Sequence, residues 1–372
     1  MGQGQKKRIL VVDDSAVMRS LLRSVIATDA TLEIAGTAQD GESALRLIET
    51  LRPDLVLLDV EMPVMDGLQT LREMRGRNLR PPVIMCSALT QRGARVTIES
   101  LASGAADYVA KPSSQLGPAI AIQNLAHDLI PKIHALTTKS NVVVLPVAQS
   151  VMPGAHAKPQ AITAVPTVVV VGISTGGPAA LDLMLPALPA NFPLPVLIVQ
   201  HMPELFTHLL AERLRNRCRL DVHEAIEGEP VKTGVIYIAR GNWHMQLEPA
   251  RPKRSEMMAF IRLTQGAQEN HCRPAADVLF RTAAAIYGAG VLGVVMTGMG
   301  SDGLAGARVI RQKGGTVLAQ DQATSSVWGM PGAVAQAGVA QKVVPLNSMA
   351  DEIIRLANQS RQVENKQGRL VV

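Results

Sequence analysis

Short, almost wholly apolar runs recur along this chain, each leading into an amphipathic segment of helical length. That β-α alternation leaves few folds open. In the first part, 9–12, 33–38, 55–58, 83–86 and 108–110 read as strands, and 16–28, 41–51, 66–75, 91–103 and 116–136 read as helices. Strands apolar on both faces must be covered on both faces, so the pattern predicts parallel sheets between helical layers. Aromatic residues make up only 2% of the chain, so the cores must be built from Val, Leu, Ile, Ala and Met. A second series of the same kind starts at Thr167, with strands predicted at 167–173, 195–200, 220–225, 235–239, 258–264, 290–297, 315–319 and 341–345. Helices are predicted there near 177–188, 204–216, 274–287, 302–313 and 348–359, and the strands between 235 and 264 point to an antiparallel edge. The two series are separated by a Pro-, Ala-, Thr- and Ser-rich stretch over 137–166, whose VVVL run reads as a small strand or a docking segment. The expected division is therefore 1–136, a linker over 137–166, and a doubly wound, mostly parallel α/β domain over 167–372.

Charge and cysteine usage narrow the function classes. The formal net charge is +6, but the basic residues are scattered and form no dense stripe with interleaved aromatics, so no nucleic-acid partner is expected. The three cysteines, Cys86, Cys218 and Cys272, have no CxxC spacing, which argues against a disulfide framework or a cysteine zinc site. MGQGQKKR runs into the first strand without a signal-like apolar region, and no apolar run reaches membrane-spanning length. A cytoplasmic protein without membrane insertion is the expectation.

The strand ends carry the chemistry. Asp13 and Asp14 follow ILVV, and Asp59 ends LVLLD. In an open parallel sheet the carboxyl ends of the strands line the ligand crevice. Three carboxylates gathered there suit a hard divalent cation, with Mg²⁺ the expected ion. Such an ion neutralises a phosphoryl donor while Asp59 attacks phosphorus and becomes an acyl phosphate. Ser87 ends the next strand, with a hydroxyl placed to hydrogen-bond the phosphoryl group, and Lys111 ends the last with a mobile positive charge. Taken singly, Asp13–Asp14 reads as a turn or cap, Ser87 as a loop hydroxyl and Lys111 as a surface lysine; their joint placement at successive strand ends is what speaks for a site.

These stretches, VVDDSAVMR, LLDVEMPVMDG, SAL and AKP, resemble a response-regulator receiver domain over about 7–127. The resemblance implies the flavodoxin-like fold, Mg²⁺ held by Asp13, Asp14 and Asp59, phosphorylation at Asp59, a switch role for Ser87 and Lys111, and a histidine kinase as phosphodonor.

In the second series, TVVVVGISTGGPAAL is a buried strand turning sharply at 172–177, with Pro178 suited to the first turn of a helix. Ser174 then projects over the strand ends near unpaired helix N–H groups, as in a loose nucleophile elbow. A phosphate or dinucleotide loop is the other reading, but GISTGG lacks GxGxxG spacing and a P-loop lysine. His201 follows PVLIVQ, and Asp302 lies in MTGMGSDGLAG after another apolar run. Ser, His and Asp supply nucleophile, general base and orienter of the base. Each alone has a blander reading, His201 as a helix-entry residue and Asp302 as an N-cap. Their chain order, Ser then His then Asp, differs from that of α/β-hydrolases.

GISTGGP, QHMP, GEPV, HCRPAADVLF, TGMGSDG and QDQATSSVWGMPGA resemble the protein-glutamate methylesterases of bacterial chemotaxis, the CheB family, so that with the receiver the resemblance covers nearly the whole chain. It implies Ser174, His201 and Asp302 as catalytic residues, with the backbone N–H of Met299 at an oxyanion hole. It also implies ester hydrolysis and glutamine deamidation on methyl-accepting chemoreceptors, no cofactor for the hydrolase, and inhibition by a receiver that covers the cleft. The competing classes are a receiver-coupled binding or scaffold protein with an inactive hydrolase-like domain, a DNA-binding regulator, for which no helix-turn-helix is evident, and a nucleotide-dependent enzyme using GISTGG.

Lesser features stay open at this level. His271, Arg273, Pro274 and Asp277 either line the cleft or, for Arg273 and Asp277, support a helix start as an i,i+4 pair. Lys111–Pro112 is a candidate cis bond. His244 reads as exposed or structural, Asp321 as a site-supporting residue or a cap, and Trp328 as packing or a cleft wall. Arg240 and Gln322 depart from the family pattern, which puts local loop shape and substrate preference in doubt but not the reaction.

Overall fold

A computed structural model describes residues 6–88, 90–112, 117–138, 165–249 and 259–367. The VVVL run and nearly all of the expected linker lie outside the described residues. In the first part, β1 (Lys7–Val12), α1 (Ala16–Ala27), β2 (Leu32–Ala38), α2 (Gly41–Leu51), β3 (Leu55–Asp59), α3 (Gly67–Gly76), β4 (Val83–Ser87), α4 (Gln91–Ala102), β5 (Asp107–Ala110) and α5 (Pro118–Thr137) alternate without interruption. The strands form one parallel sheet in the order β2-β1-β3-β4-β5. All residues of β3 and β4 are buried, as runs apolar on both faces require. Side chains set the helix starts: Ser15, Asp40, Asp66 and Thr90 accept hydrogen bonds from backbone N–H groups in the first turns of α1 to α4.

The second part begins with β6 (Val168–Ile173) and α6 (Gly177–Met184), followed by β7 (Val196–Gln200), α7 (Glu204–Arg215), β8 (Asp221–Glu224) and β9 (Val235–Ile238). Next come β10 (His244–Pro249), β11 (Ala259–Thr264), α8 (Ala276–Tyr287), β12 (Val291–Val295), α9 (Leu304–Gln312), β13 (Thr316–Gln320), α10 (Met330–Gln336), β14 (Lys342–Val344) and α11 (Leu346–Gln367). Seven strands form a parallel sheet in the order β14-β13-β12-β6-β7-β9-β8. The chain leaves β6 to one side through β7 and reaches β12 on the other, which makes the carboxyl ends of β6, β7 and β12 a topological switch point.

The expected antiparallel edge needs correction. β9 is buried and pairs in parallel with β7 and β8 inside the large sheet. The antiparallel partners are β10 and β11, which make a two-stranded sheet of their own. β10 carries no long apolar run, and it docks on α8 through the Leu247 N–H to Thr282 Oγ1 at 3.2 Å. Helix α10, over MPGAVAQ, is also absent from the predicted elements; at seven residues, with Pro and Gly inside it, it shows no helical stripe.

Candidate functional site

At the carboxyl edge of the first sheet, Asp13, Asp14 and Asp59 bring carboxylate oxygens within 4.8 Å of one another. Lys111 Nζ lies 2.8 Å from Asp13 Oδ2 and 2.7 Å from Asp59 Oδ1. Asp13 Oδ2 is buried and has this ion-pair contact but no directional hydrogen bond. Burial, opposed by Lys111 and reinforced by the charge of Asp13, pushes the Asp59 carboxyl up to about 6. One ammonium thus pairs with two of three clustered carboxylates, a hard-oxygen donor set that fits a divalent cation. Ser87 is at the neighbouring strand end, buried, and its hydroxyl donates to Ala88 O at 3.1 Å. Among the described residues the cis peptide bond falls at Arg273–Pro274, not at Lys111–Pro112.

The second candidate site sits on the switch point. Ser174 comes directly after β6 and its N–H donates to Thr297 O at 2.9 Å, tying the turn to the end of β12. Gly176, at φ +78°, allows the tight turn into α6. Gly298 is equally constrained by space, because a Cβ there would lie 2.7 Å from Ser174 Cβ. His201 comes directly after β7, and its Nε2 lies 2.8 Å from Asp302 Oδ2. Asp302 is buried and accepts from Ala276 N (2.6 Å), Asp277 N (3.1 Å), Asn270 Nδ2 (2.9 Å) and Gly303 N (3.0 Å). Burial would raise its pKa, but His201 and the N–H groups of Ala276 and Asp277 outweigh it and hold it below the ordinary value. For His201, burial opposes the charged form, while the contacts with Asp302 and Cys272 push its pKa up to about 9.

Among the described residues Ser174 Oγ has no hydrogen-bond partner. The remaining ring nitrogen of His201, Nδ1, instead faces Cys272 Sγ at 3.6 Å. Nucleophile–base contacts are often loose before substrate arrives. The Met299 N–H also has no acceptor among the described residues, and Met299 lines the cleft beside Ser174. That cleft, of about 660 Å³, has walls from both parts of the chain. Asp107, Tyr108 and Lys132 come from the first, and Ser174, Thr175, His201 and Met299 from the second.

The contacts joining the two parts are specific. Thr175 Oγ1 donates to Asp107 Oδ2 at 2.6 Å, and the Gly176 N–H donates to Ala106 O at 3.1 Å. Tyr108 stacks on Phe206 with centroids 4.5 Å apart. The turn that presents Ser174 is therefore the turn the first part touches.

Of the open features, His271, Arg273 and Pro274 line the cleft, whereas Asp277 does not. The i,i+4 pair does not form: Arg273 bonds Asn242 Oδ1 and the carbonyls of Gln265 and Gly266, and Asp277 Oδ1 accepts from Gly306 N. His244 is buried and structural, its ring bridging Ala267 O and Ala275 N. Asp321 caps its own turn through Thr324, and Trp328 packs on Gly332 while donating to Gln320 O at 2.9 Å. Arg240 pairs with Glu204, which lines the cleft, and stacks over Trp243. Sequence reasoning missed Gln200, although it carries a signal: a polar residue ending a buried strand, whose Nε2 donates to Ser174 O at 3.0 Å. Thr175, Asp107, Asn270 and Cys272 give no such signal, because their partners are far away in sequence.

Two parallel α/β units, one with an acidic pocket at its strand ends and one with a Ser-His-Asp constellation, define a receiver joined to a serine-hydrolase-like domain. A family model for the response regulator receiver domain matches residues 9–117, and one for CheB methylesterase matches 169–353. The chain is 45% identical over 352 residues to a protein-glutamate methylesterase/protein-glutamine glutaminase of Trichodesmium erythraeum, covering 94% of this chain and 99% of the relative. It is 46% identical over 353 residues to the protein of the same description from a Nocardioides species, covering 94% of each. The crystal structure of the Thermotoga maritima CheB methylesterase catalytic domain matches with 42% identity and a TM-score of 0.49, covering 52% of this chain and all (100%) of that one. The chain belongs to the CheB family of receiver-linked protein-glutamate methylesterases.

Proposed function

We propose that this chain hydrolyses glutamate γ-methyl esters on chemoreceptors and deamidates receptor glutamines, under control of phosphorylation at Asp59. The observation that carries the reading is the 2.8 Å His201–Asp302 contact, beside Ser174 and within a cleft walled by the receiver. We assign residues 1–136 to the receiver and 167–372 to the catalytic domain, with 137–166 between them. Ser174 Oγ attacks the γ-carbonyl as His201 Nδ1 takes its proton. Asp302 keeps Nε2 protonated and stabilises the imidazolium. The Met299 N–H donates to the developing oxyanion. The imidazolium then protonates the methoxide oxygen as its bond to the carbonyl carbon breaks, so methanol leaves. Water, deprotonated by His201, cleaves the acyl-enzyme to glutamate and restores Ser174; for glutamine only the leaving group changes, to ammonia.

In the receiver, Asp13, Asp14 and Asp59 would hold Mg²⁺, which when bound neutralises charge on an incoming phosphoryl group. The Asp59 oxygen forms the new bond to phosphorus while the bond to the donor, a histidine kinase or a small phosphodonor, breaks. The new phosphoryl group, with about two negative charges, competes for Lys111 and the Ser87 hydroxyl. That biases the receiver away from the surface holding Thr175 and Phe206. A coupling of about 1–3 kcal/mol is enough to change activity several-fold to a hundredfold. The test is methanol release from methylated receptor fragments, with and without phosphorylation. Release dependent on Ser174 and increased by phosphorylation is expected; a folded chain that binds the fragment and releases no methanol in either state would mean a binding protein instead.

A further inference from the structure

Cys272 is placed against the one atom the mechanism most needs. His201 has two ring nitrogens, and Nε2 is committed to Asp302 at 2.8 Å. Only Nδ1 remains to receive the proton of Ser174, and Nδ1 faces Cys272 Sγ at 3.6 Å, within reach of a sulfur hydrogen bond. The loop that carries the thiol is closely held. Glu269 and Cys272 exchange backbone hydrogen bonds of 3.1 and 2.9 Å. Glu269 is clamped by Arg281 at 2.5 and 2.6 Å. Asn270 and His271 both take left-handed backbone conformations, at φ +54° and +60°. Non-glycine residues stay there only where the surroundings impose it. What imposes it here includes Asn270 Nδ2, 2.9 Å from both Asp277 Oδ2 and Asp302 Oδ1. The carboxylate that orients His201 thus also anchors the loop that presents Cys272.

Resting on the Ser174–His201–Asp302 reading above, we propose that Cys272 is a positioning residue for His201. Its sulfur lies against Nδ1 and keeps the ring in the plane from which Nδ1 takes the Ser174 proton, staying at the ring edge as Ser174 Oγ approaches. Sulfur is a weak hydrogen-bonding partner, so it fixes the ring without trapping it. The proton that moves in the reaction is that of Ser174. Among the described residues the groups acting on the ring are Asp302 and Cys272, with Glu269 and Asp277 behind Asp302, and Glu204, His271 and Arg273 line the same cleft. The other cysteines are elsewhere: Cys86 is buried in the receiver, and Cys218 lies beyond α7 outside the cleft.

The experiment measures methanol release by the full chain, with Mg²⁺ and a small phosphodonor, from a receptor fragment bearing glutamate γ-methyl esters, as a function of pH. Cys272→Ala is expected to lower kcat about three- to tenfold with KM nearly unchanged, because the imidazole loses orientation rather than substrate contacts. Its rising limb of kcat/KM should move to lower pH by about half a unit or more, because a contact that favours the imidazolium is gone. Cys272→Ser, which keeps a hydrogen-bonding group at that place, should recover most of both changes. If Cys272→Ala does not fold, Cys272→Val, similar in size and unable to hydrogen-bond, carries the same expectation. An unaltered kcat and a superimposable pH profile in the folded variant overturn the proposal, as does a loss that serine fails to recover. Turnover retained by Ser174→Ala would instead overturn the triad reading beneath it.

Discussion

Both candidate sites occupy the same place in a parallel sheet, yet their carboxylates are treated in opposite ways. Asp302 is buried among N–H donors and paired with His201, and its pKa is held down. Asp59 is buried with Asp13 against a single shared lysine, and its pKa is pushed up to about 6. The charge of Asp302 is met by His201 and several N–H donors around it. The receiver site is short of positive charge, which is the condition of a site built for an ion and a phosphoryl group. A permanent site keeps its charge satisfied, and a switch leaves its charge available for reaction.

The largest test of that contrast is Ser174→Ala, expected to reduce methanol release on the order of 10⁴-fold or more with the fold intact. His201→Ala and Asp302→Ala should be severe as well, and combining them with Ser174→Ala should add little; clean additivity would argue against a shared unit. None of these losses should depend on Mg²⁺.

Next in size is pH. With His201 pushed up to about 9, the free base is scarce at neutral pH, so kcat/KM should climb roughly tenfold per unit and level off near 9. The same shift sets the sign for stability: a histidine raised from 6.5 to about 9 contributes stability that is fully present below 6.5 and is lost as pH rises through about 9. A flat kcat/KM between pH 7 and 9 would contradict this assignment of the base.

Phosphorylation separates the two sites further. Mg²⁺-dependent label should be found on Asp59 after borohydride trapping and mass spectrometry, and Asp59→Asn or chelation of the metal should remove it. A folded fragment beginning near Thr167 should exceed the unphosphorylated full chain several-fold to about a hundredfold, with phosphorylation narrowing the gap. A fragment no faster than the full chain would reject inhibition by covering and leave recruitment to receptors as the receiver's role.

The smallest effect concerns the contact between the two parts. Asp107→Ala removes the acceptor of the Thr175 hydroxyl. An unpaired buried hydroxyl disfavours the closed arrangement, so the unphosphorylated rate should rise about three- to tenfold while the isolated catalytic fragment has no counterpart of the effect. An unchanged basal rate would remove this contact from the regulatory interface.

The residues of both sites were legible because strands and strand ends are local features. A run such as VVVVGI announces a buried parallel strand, and the residue at its carboxyl end must project into the crevice. That logic put Asp13, Asp59, Ser87, Lys111, Ser174, His201 and Asp302 at or beyond strand ends, where the fold has them. It failed where local pattern was weak: β10 has no apolar run and α10 no stripe, so packing on neighbours decided them. It was silent wherever two distant segments had to meet. Cys272 faces His201 across 71 positions of chain, and Thr175 meets Asp107 across 68. Periodicity and strand-end chemistry depend on neighbours in sequence, so the chain alone declares them. Which ring nitrogen is occupied, which carboxylate is satisfied and which surface covers the serine depend on the order of strands in space, and only the folded arrangement settles them.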